Sequence, residues 1–143
     1  MTARVAFITG GGSGIGLATA RELSARGWAI ALADLSEVAL AAAHAELAQR
    51  GAVLALPLDI TDAEAVTRAV EEAGHELGPI AGAVNSAGIA ADIPALETPV
   101  DVFRRVLDIN VTGTFIVAQA VARHMRANCA GGAIVNLASV SGL

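Results

Sequence analysis

Neither tyrosine nor lysine occurs in the 143 residues, and all nine basic residues are arginine. A phenol–ammonium acid–base pair is therefore excluded within this sequence. Cys129 is the only cysteine, which rules out an intrachain disulfide and a thiolate metal cluster and fits a reducing cytoplasm. The arginines are scattered, so there is no basic stripe of the kind that tracks a nucleic acid. The net charge is −5 and the pI about 5.0. No uninterrupted apolar run approaches the ~18 residues of a membrane span. The N-terminus runs directly into an apolar strand pattern, without the basic region and apolar segment of a secretory signal. The sequence shows no internal repeat, linker or low-complexity tail. What is present in quantity is aliphatic: hydrophobic residues make up 55% and the mean hydropathy is +0.61. That is enough for a sizeable core in one domain of ordinary length.

The stretch Thr9-Gly10-Gly11-Gly12-Ser13-Gly14-Ile15-Gly16 stands between an apolar run, Val5 to Ile8, and good helix formers, Leu17 to Arg26, that stop at Gly27. The order is strand, glycine turn, helix. The first N–H groups of a helix lack intrahelical partners, and together with the positive end of the helix dipole they suit a phosphate. On this reading Gly10 turns the chain off the strand. Gly14 lets a pyrophosphate reach the backbone, and Gly16 brings the helix close to the sheet. The spacing is G-x-x-x-G-x-G, not the commoner G-x-G-x-x-G. The plain alternative is an ordinary strand-to-helix turn.

Beyond Gly27 the pattern alternates. Ala29–Ala33 predicts a second buried strand ending at Asp34, and Ser36 caps an Ala-rich helix running to about Arg50. Val53–Leu56 is a third strand, followed by Asp59. Thr61 and Glu64 have the spacing of a capping box, and the next helix places Val66, Ala69, Val70, Ala73 and Leu77 on one face. Ile80–Val84 is a fourth strand, ending at Asn85-Ser86-Ala87-Gly88. A loop with Pro94 and Pro99 leads to one long helix, Val100 to Asn128, whose second half from Phe115 onward is apolar on most faces. That predicts burial against more than the sheet, such as another subunit. Ala133–Leu137 is a fifth strand. Continuous apolar strands with helical crossovers predict an α/β fold: a doubly wound parallel sheet with helices on both faces. His44, His75 and His124 lie on separate helices without ligand spacing to one another, so no metal site is expected.

Taken in order, these residues resemble the short-chain dehydrogenase/reductase family, from Arg4 to Leu143. Thr9-Gly10-x-x-x-Gly14-Ile15-Gly16 is similar to its cofactor loop. Asp34 matches the acidic residue ending its second strand, and Asp59 its adenine-contacting aspartate. Asn85-Ser86-Ala87-Gly88 resembles the family's N-N-A-G motif, with Ser86 in place of the second Asn. Asn110, in Asp108-Ile109-Asn110-Val111, resembles the tetrad asparagine. Ser139, at the end of Ile134-Val135-Asn136-Leu137-Ala138-Ser139, resembles the catalytic serine.

The resemblance implies a Rossmann-type fold and reversible hydride transfer between a secondary alcohol or ketone and nicotinamide. Its cofactor set is Gly10, Gly12, Ser13, Gly14, Ile15, Gly16, Asp34, Leu35, Asp59, Ile60, Asn85, Ala87 and Gly88. Its catalytic residues are Ser139, which would bond the substrate oxygen, and Asn110, which would sit at a helix distortion that positions a water. NAD is expected over NADP: no arginine stands beside Asp34, and Ser13 lies where NADP-preferring relatives often carry a basic residue. A 2′-phosphate ~4 Å from that carboxylate would cost about 1 kcal/mol in bulk water and about 4 near a protein surface.

The plain roles differ. Asp34 and Asp59 would be turn or cap residues, Asn85 a support for sheet and loop, and Asn110 a satisfied buried amide. The family's Tyr-x-x-x-Lys pair follows the serine, and nothing of the kind lies between Ser139 and Leu143. The resemblance therefore implies a single NAD(P)-binding domain, residues 1–143, truncated after the fifth strand and inactive by itself. A non-catalytic nucleotide-binding module and an inactive remnant are the other readings. The expected partners are a small alcohol or ketone substrate and a second copy of the chain through Val100–Asn128. No nucleic acid or membrane is expected, and the location is the cytoplasm. Acyl-chain, sugar-alcohol and steroid substrates remain open.

Overall fold

A computed structural model describes residues 4–129 and 131–139. Five parallel strands form one sheet in the order β3-β2-β1-β4-β5, where β1 is Val5–Thr9, β2 Ala29–Asp34, β3 Val53–Pro57, β4 Ile80–Asn85 and β5 Ala133–Asn136. The chain winds outward from β1 to β3, returns, and continues on the other side with β4. The strand order therefore reverses between β1 and β4, which is where an open α/β sheet leaves a crevice at its carboxyl ends.

The sheet is covered twice because side chains alternate along buried strands. In β1, Val5 and Phe7 join a cluster with Val66, Val70 and Ala73 of α3 (Ala63–Leu77) and Val117 and Val121 of α5 (Thr114–Ala127). Ala6 and Ile8 point the other way, onto Ala20 of α1 (Gly14–Ala25) and Leu40, Ala43 and Leu47 of α2 (Glu37–Leu47). Each fully buried Val, Ile or Leu contributes about 1.5–3 kcal/mol, so both layers matter to stability. The fold is the expected doubly wound Rossmann type.

Three local expectations are corrected. The α3 cap is Asp62, not Thr61. Its Oδ1 accepts from the N–H groups of Glu64 and Ala65 at 3.0 and 2.9 Å. Thr61 instead donates its N–H and hydroxyl to Asp59 Oδ1, at 2.9 and 2.7 Å, so its hydroxyl is engaged two residues before the helix begins. The α2 helix ends at Leu47, short of Arg50, although Ser36 caps it as expected. The long helix is also not uniform. Between α4 (Val100–Leu107) and α5, residues Asp108–Gly113 form a π-helical segment, with wider turns than the α-helices it joins. In α5, Val117 and Val121 are in the core, whereas Phe115 is 62% exposed in the single chain.

Candidate functional site: a groove at the carboxyl ends of the strands

A groove of about 380 Å³ opens above β1, β2 and β4. One end is the glycine loop, contributing Gly10, Ser13, Gly14 and Ile15. Gly14 has φ +50°, and a Cβ there would meet nothing within 4 Å, so the loop presents bare backbone to open space. Ser13, at the α1 N-cap, makes no side-chain cap bond, and no acidic residue stands in the first turn. The first amides of α1 are thus not capped by a side chain, which is the arrangement that receives an anion. Gly16 does not line the groove. A Cβ there would run into the Gly10 carbonyl oxygen and lie 2.9 Å from Ser86 Oγ. Gly16 therefore lets α1 start tight against its own loop and the loop after β4, rather than against the sheet alone. Thr9, buried at the end of β1, ties these two loops together: its hydroxyl oxygen accepts from the N–H groups of Ser86 and Ala87, both at 3.2 Å.

The groove wall past the ends of β2 and β3 carries carboxylates. Asp34, at the tip of β2, accepts from Gly12 N–H with Oδ2 and from Ser36 N–H with Oδ1, both at 3.0 Å. Leu35 beside it is exposed, and Leu58, Asp59, Ile60 and Thr61 continue the wall after β3. Asp59 has its carboxyl held below the usual carboxylate range, first by the Thr61 backbone N–H and then by the Thr61 hydroxyl, with Arg105 adding to the effect. Both sequence readings of Asp59 thus have a counterpart in the geometry: it closes a local turn, and it lines the groove. Ala87, Gly88 and Ile89 form the opposite side.

The remaining candidates stand outside the lining. Gly12 lies behind it. Asn85 is buried and donates from Nδ2 to Asn136 Oδ1 at 2.8 Å, tying β4 to β5 as expected of a support. Asn110, in the π-helical segment, is clamped to the backbone of Ile89: Oδ1 accepts from its N–H at 2.9 Å and Nδ2 donates to its carbonyl at 2.8 Å. A Cβ on Gly88 would lie 3.1 Å from Asn110 Oδ1, so the missing side chain at Gly88 makes room for that amide. Ser139 follows β5 and is exposed, on the same carboxyl side of the sheet.

Sequence reasoning missed Arg105, Asp108 and Ile109, which reach the groove from α4 and the π segment. Arg105 is the one basic side chain in a lining that also holds Asp34, Asp59 and Asp108. Its position on the helix that carries Asn110 was the available signal. Among the described residues no cluster of three or more His, Cys, Asp or Glu is placed to hold a metal, and no helix is long and apolar enough to cross a membrane.

The groove pairs open helix amides with a fixed carboxylate, which suits a ligand that has phosphates at one end and hydroxyls at the other. Known proteins agree with that pattern. The chain is 44% identical over 140 residues to the 2-dehydro-3-deoxy-L-rhamnonate dehydrogenase (NAD(+)) of Sphingomonas sp. (strain SKA58), covering 97% of this chain and 55% of the relative. It is 46% identical over 139 residues to the galactitol 2-dehydrogenase (L-tagatose-forming) of Cereibacter sphaeroides, covering 96% and 53%. The solved structure of NAD+-bound xylitol dehydrogenase superposes with a TM-score of 0.94 at 40% identity, covering 99% of this chain and 55% of that one. The chain thus spans about half the length of the relatives it matches. The short chain dehydrogenase family model matches residues 4–143, and the chain belongs to that family.

Proposed function

We propose that this chain forms the NAD-binding part of an alcohol dehydrogenase. The observation that carries the reading is the Asp34 carboxylate in the groove lining, fixed by the backbone amides of Gly12 in the glycine loop and of Ser36 after β2. In this reading the amides after Ser13 hold the pyrophosphate, and Asp34 accepts from the hydroxyls of the adenosine ribose. Asp59 and Ile60 border the adenine. Arg105 offsets part of the carboxylate charge around it.

When bound, nicotinamide supplies the hydride acceptor or donor. The contribution of this chain is to orient that group. Thr9 and Asn110 hold the loop from Ser86 to Ile89 against the groove. Ser139 would donate a hydrogen bond to the substrate oxygen, and Asn110 would lend the π segment to a proton path. The names of the relatives support a small polyhydroxylated substrate, such as a sugar alcohol or sugar acid. An exposed apolar row on the long helix, Phe103, Leu107, Val111 and Phe115, supports pairing with a second copy.

Because the sequence holds no Tyr and no Lys, binding is the informative readout and turnover is not expected from the 143-residue chain. Titration of NADH and NADPH against the purified protein, followed by nicotinamide fluorescence, tests the proposal. Saturable NADH binding with NADPH weaker by tenfold or more is expected from one misplaced like charge near a surface. Equal affinity for the two would remove Asp34 as the selector, and no binding of either would remove the reading altogether.

A further inference from the structure

Asp34 is held from two directions. The Ser36 N–H bond to Oδ1 is local and closes a turn at the end of β2. The Gly12 N–H bond to Oδ2 is long-range and joins the glycine loop after β1 to the tip of β2. The space around Gly12 is nearly full. A Cβ there would lie 3.0 Å from Asp34 Oδ2, 2.8 Å from the Ala39 Cβ and 3.2 Å from the Ala39 carbonyl carbon. Loop, carboxylate and first turn of α2 meet at a point where only a hydrogen fits. Gly12 does not line the groove, so a change there acts on the groove through Asp34.

We propose that Gly12 is a positioning residue for cofactor choice: its amide and its missing side chain together fix the Asp34 carboxylate in the orientation that accepts ribose hydroxyls and repels a 2′-phosphate. The inference rests on the reading that the groove takes a nicotinamide dinucleotide. A carboxylate offers roughly four acceptor positions. The two amides occupy one on each oxygen and so set the plane in which the others point. A methyl group at Gly12 presses on Oδ2 and on α2 at once. The carboxylate must turn, the ribose hydroxyls lose their acceptor geometry, and the repulsion aimed at a 2′-phosphate is misdirected. NADH affinity falls while NADPH affinity holds or rises. A merely structural role for Gly12 would weaken both cofactors by the same factor.

The test is the Kd ratio of NADPH to NADH in the full chain for wild type, Gly12→Ala, and the double variant Gly12→Ala/Ala39→Gly, each with a thermal melt. Ala39→Gly removes the 2.8 Å contact with α2 but leaves the 3.0 Å approach to Oδ2. It should recover part of the melting loss, offset by the destabilising effect of a glycine within a helix, without restoring selectivity. The ratio is expected to fall by about tenfold in both variants, the worth of one hydrogen bond to a charged group. A ratio unchanged from wild type in both, or one recovered by Ala39→Gly, overturns the inference and leaves the proposed function standing. A wild-type chain that binds neither cofactor removes the proposed function and this inference with it.

Discussion

Asn110 meets the backbone of Ile89 with both ends of its amide, and the two residues are 21 apart in sequence. The loop after β4 is otherwise exposed from Ala90 to Glu97, so this clamp is a principal restraint on where the groove wall runs. Replacing Asn110 with Leu keeps the approximate volume and removes both bonds, at a cost of about 1–2 kcal/mol. The expected outcome is a lower melting temperature together with faster amide exchange at Ile89. Exchange at Ile89 no faster than in wild type would show that the loop is held by something else. A polar residue in an apolar helical stretch was legible in the sequence as an oddity, and so was its motif. Its partner was not, because Ile89 contributes only backbone atoms and no side-chain pattern announces them. The same blindness explains Thr61. A Thr three residues before a Glu satisfies the capping pattern, but the hydroxyl had a nearer partner in Asp59, leaving Asp62 to cap.

At the scale of elements, α3, α5 and β4 converge on His124. Its Nε2 accepts from the Ile80 N–H at 3.3 Å, and its ring occupies the space where Gly74 of α3 has no side chain. Burial pushes the His124 pKa below its ordinary 6.5, with Glu71 acting weakly in the opposite direction. The folded state therefore favours the neutral ring more than the unfolded chain does. The stabilisation is present above 6.5 and is lost as pH falls through that value toward the folded pKa. Melting temperature should drop on acidification through this window, and His124→Gln, which can accept from Ile80 without titrating there, should flatten that part of the curve. An equally steep curve in the variant would assign the acid sensitivity to other groups. The π segment is likewise an element-scale feature. Periodicity predicted one continuous helix, and the helix is continuous. The inserted wider turn leaves the apolar pattern nearly intact, so hydropathy did not mark it, whereas the resemblance around Asn110 did. Gly113, which ends the segment, packs on Ile60, with a virtual Cβ only 2.7 Å from Ile60 Cγ1. The helix distortion and the groove wall after β3 are therefore in direct contact.

For the molecule as a whole, the alternation of apolar strands and helices was enough to anticipate a parallel sheet clothed on both faces. Strand order was not legible, since every strand is comparably apolar and nothing in the alternation says on which side of β1 a strand is added. The exposed row on the long helix belongs to this scale too. Phe103, Leu107, Val111 and Phe115 are 56%, 44%, 60% and 62% exposed, a run of large side chains that a solitary chain leaves in water. Light scattering after gel filtration should report a dimer or larger species, and Leu107→Glu with Phe115→Glu should shift it to monomer without loss of helical circular dichroism. A monomeric wild type would show that this row is not a self-association surface. The sheet order has one more consequence, for the order of events during synthesis. Val5 pairs with Ala29 on one side and with Ile80 on the other. Of these five strands the central one is thus the first to leave the ribosome, and one flank of it stays bare while α1, β2, α2, β3 and α3 are made. A nascent chain at that stage exposes an apolar edge of the kind that chaperones protect, and it is sealed only when β4 emerges and slots in beside it.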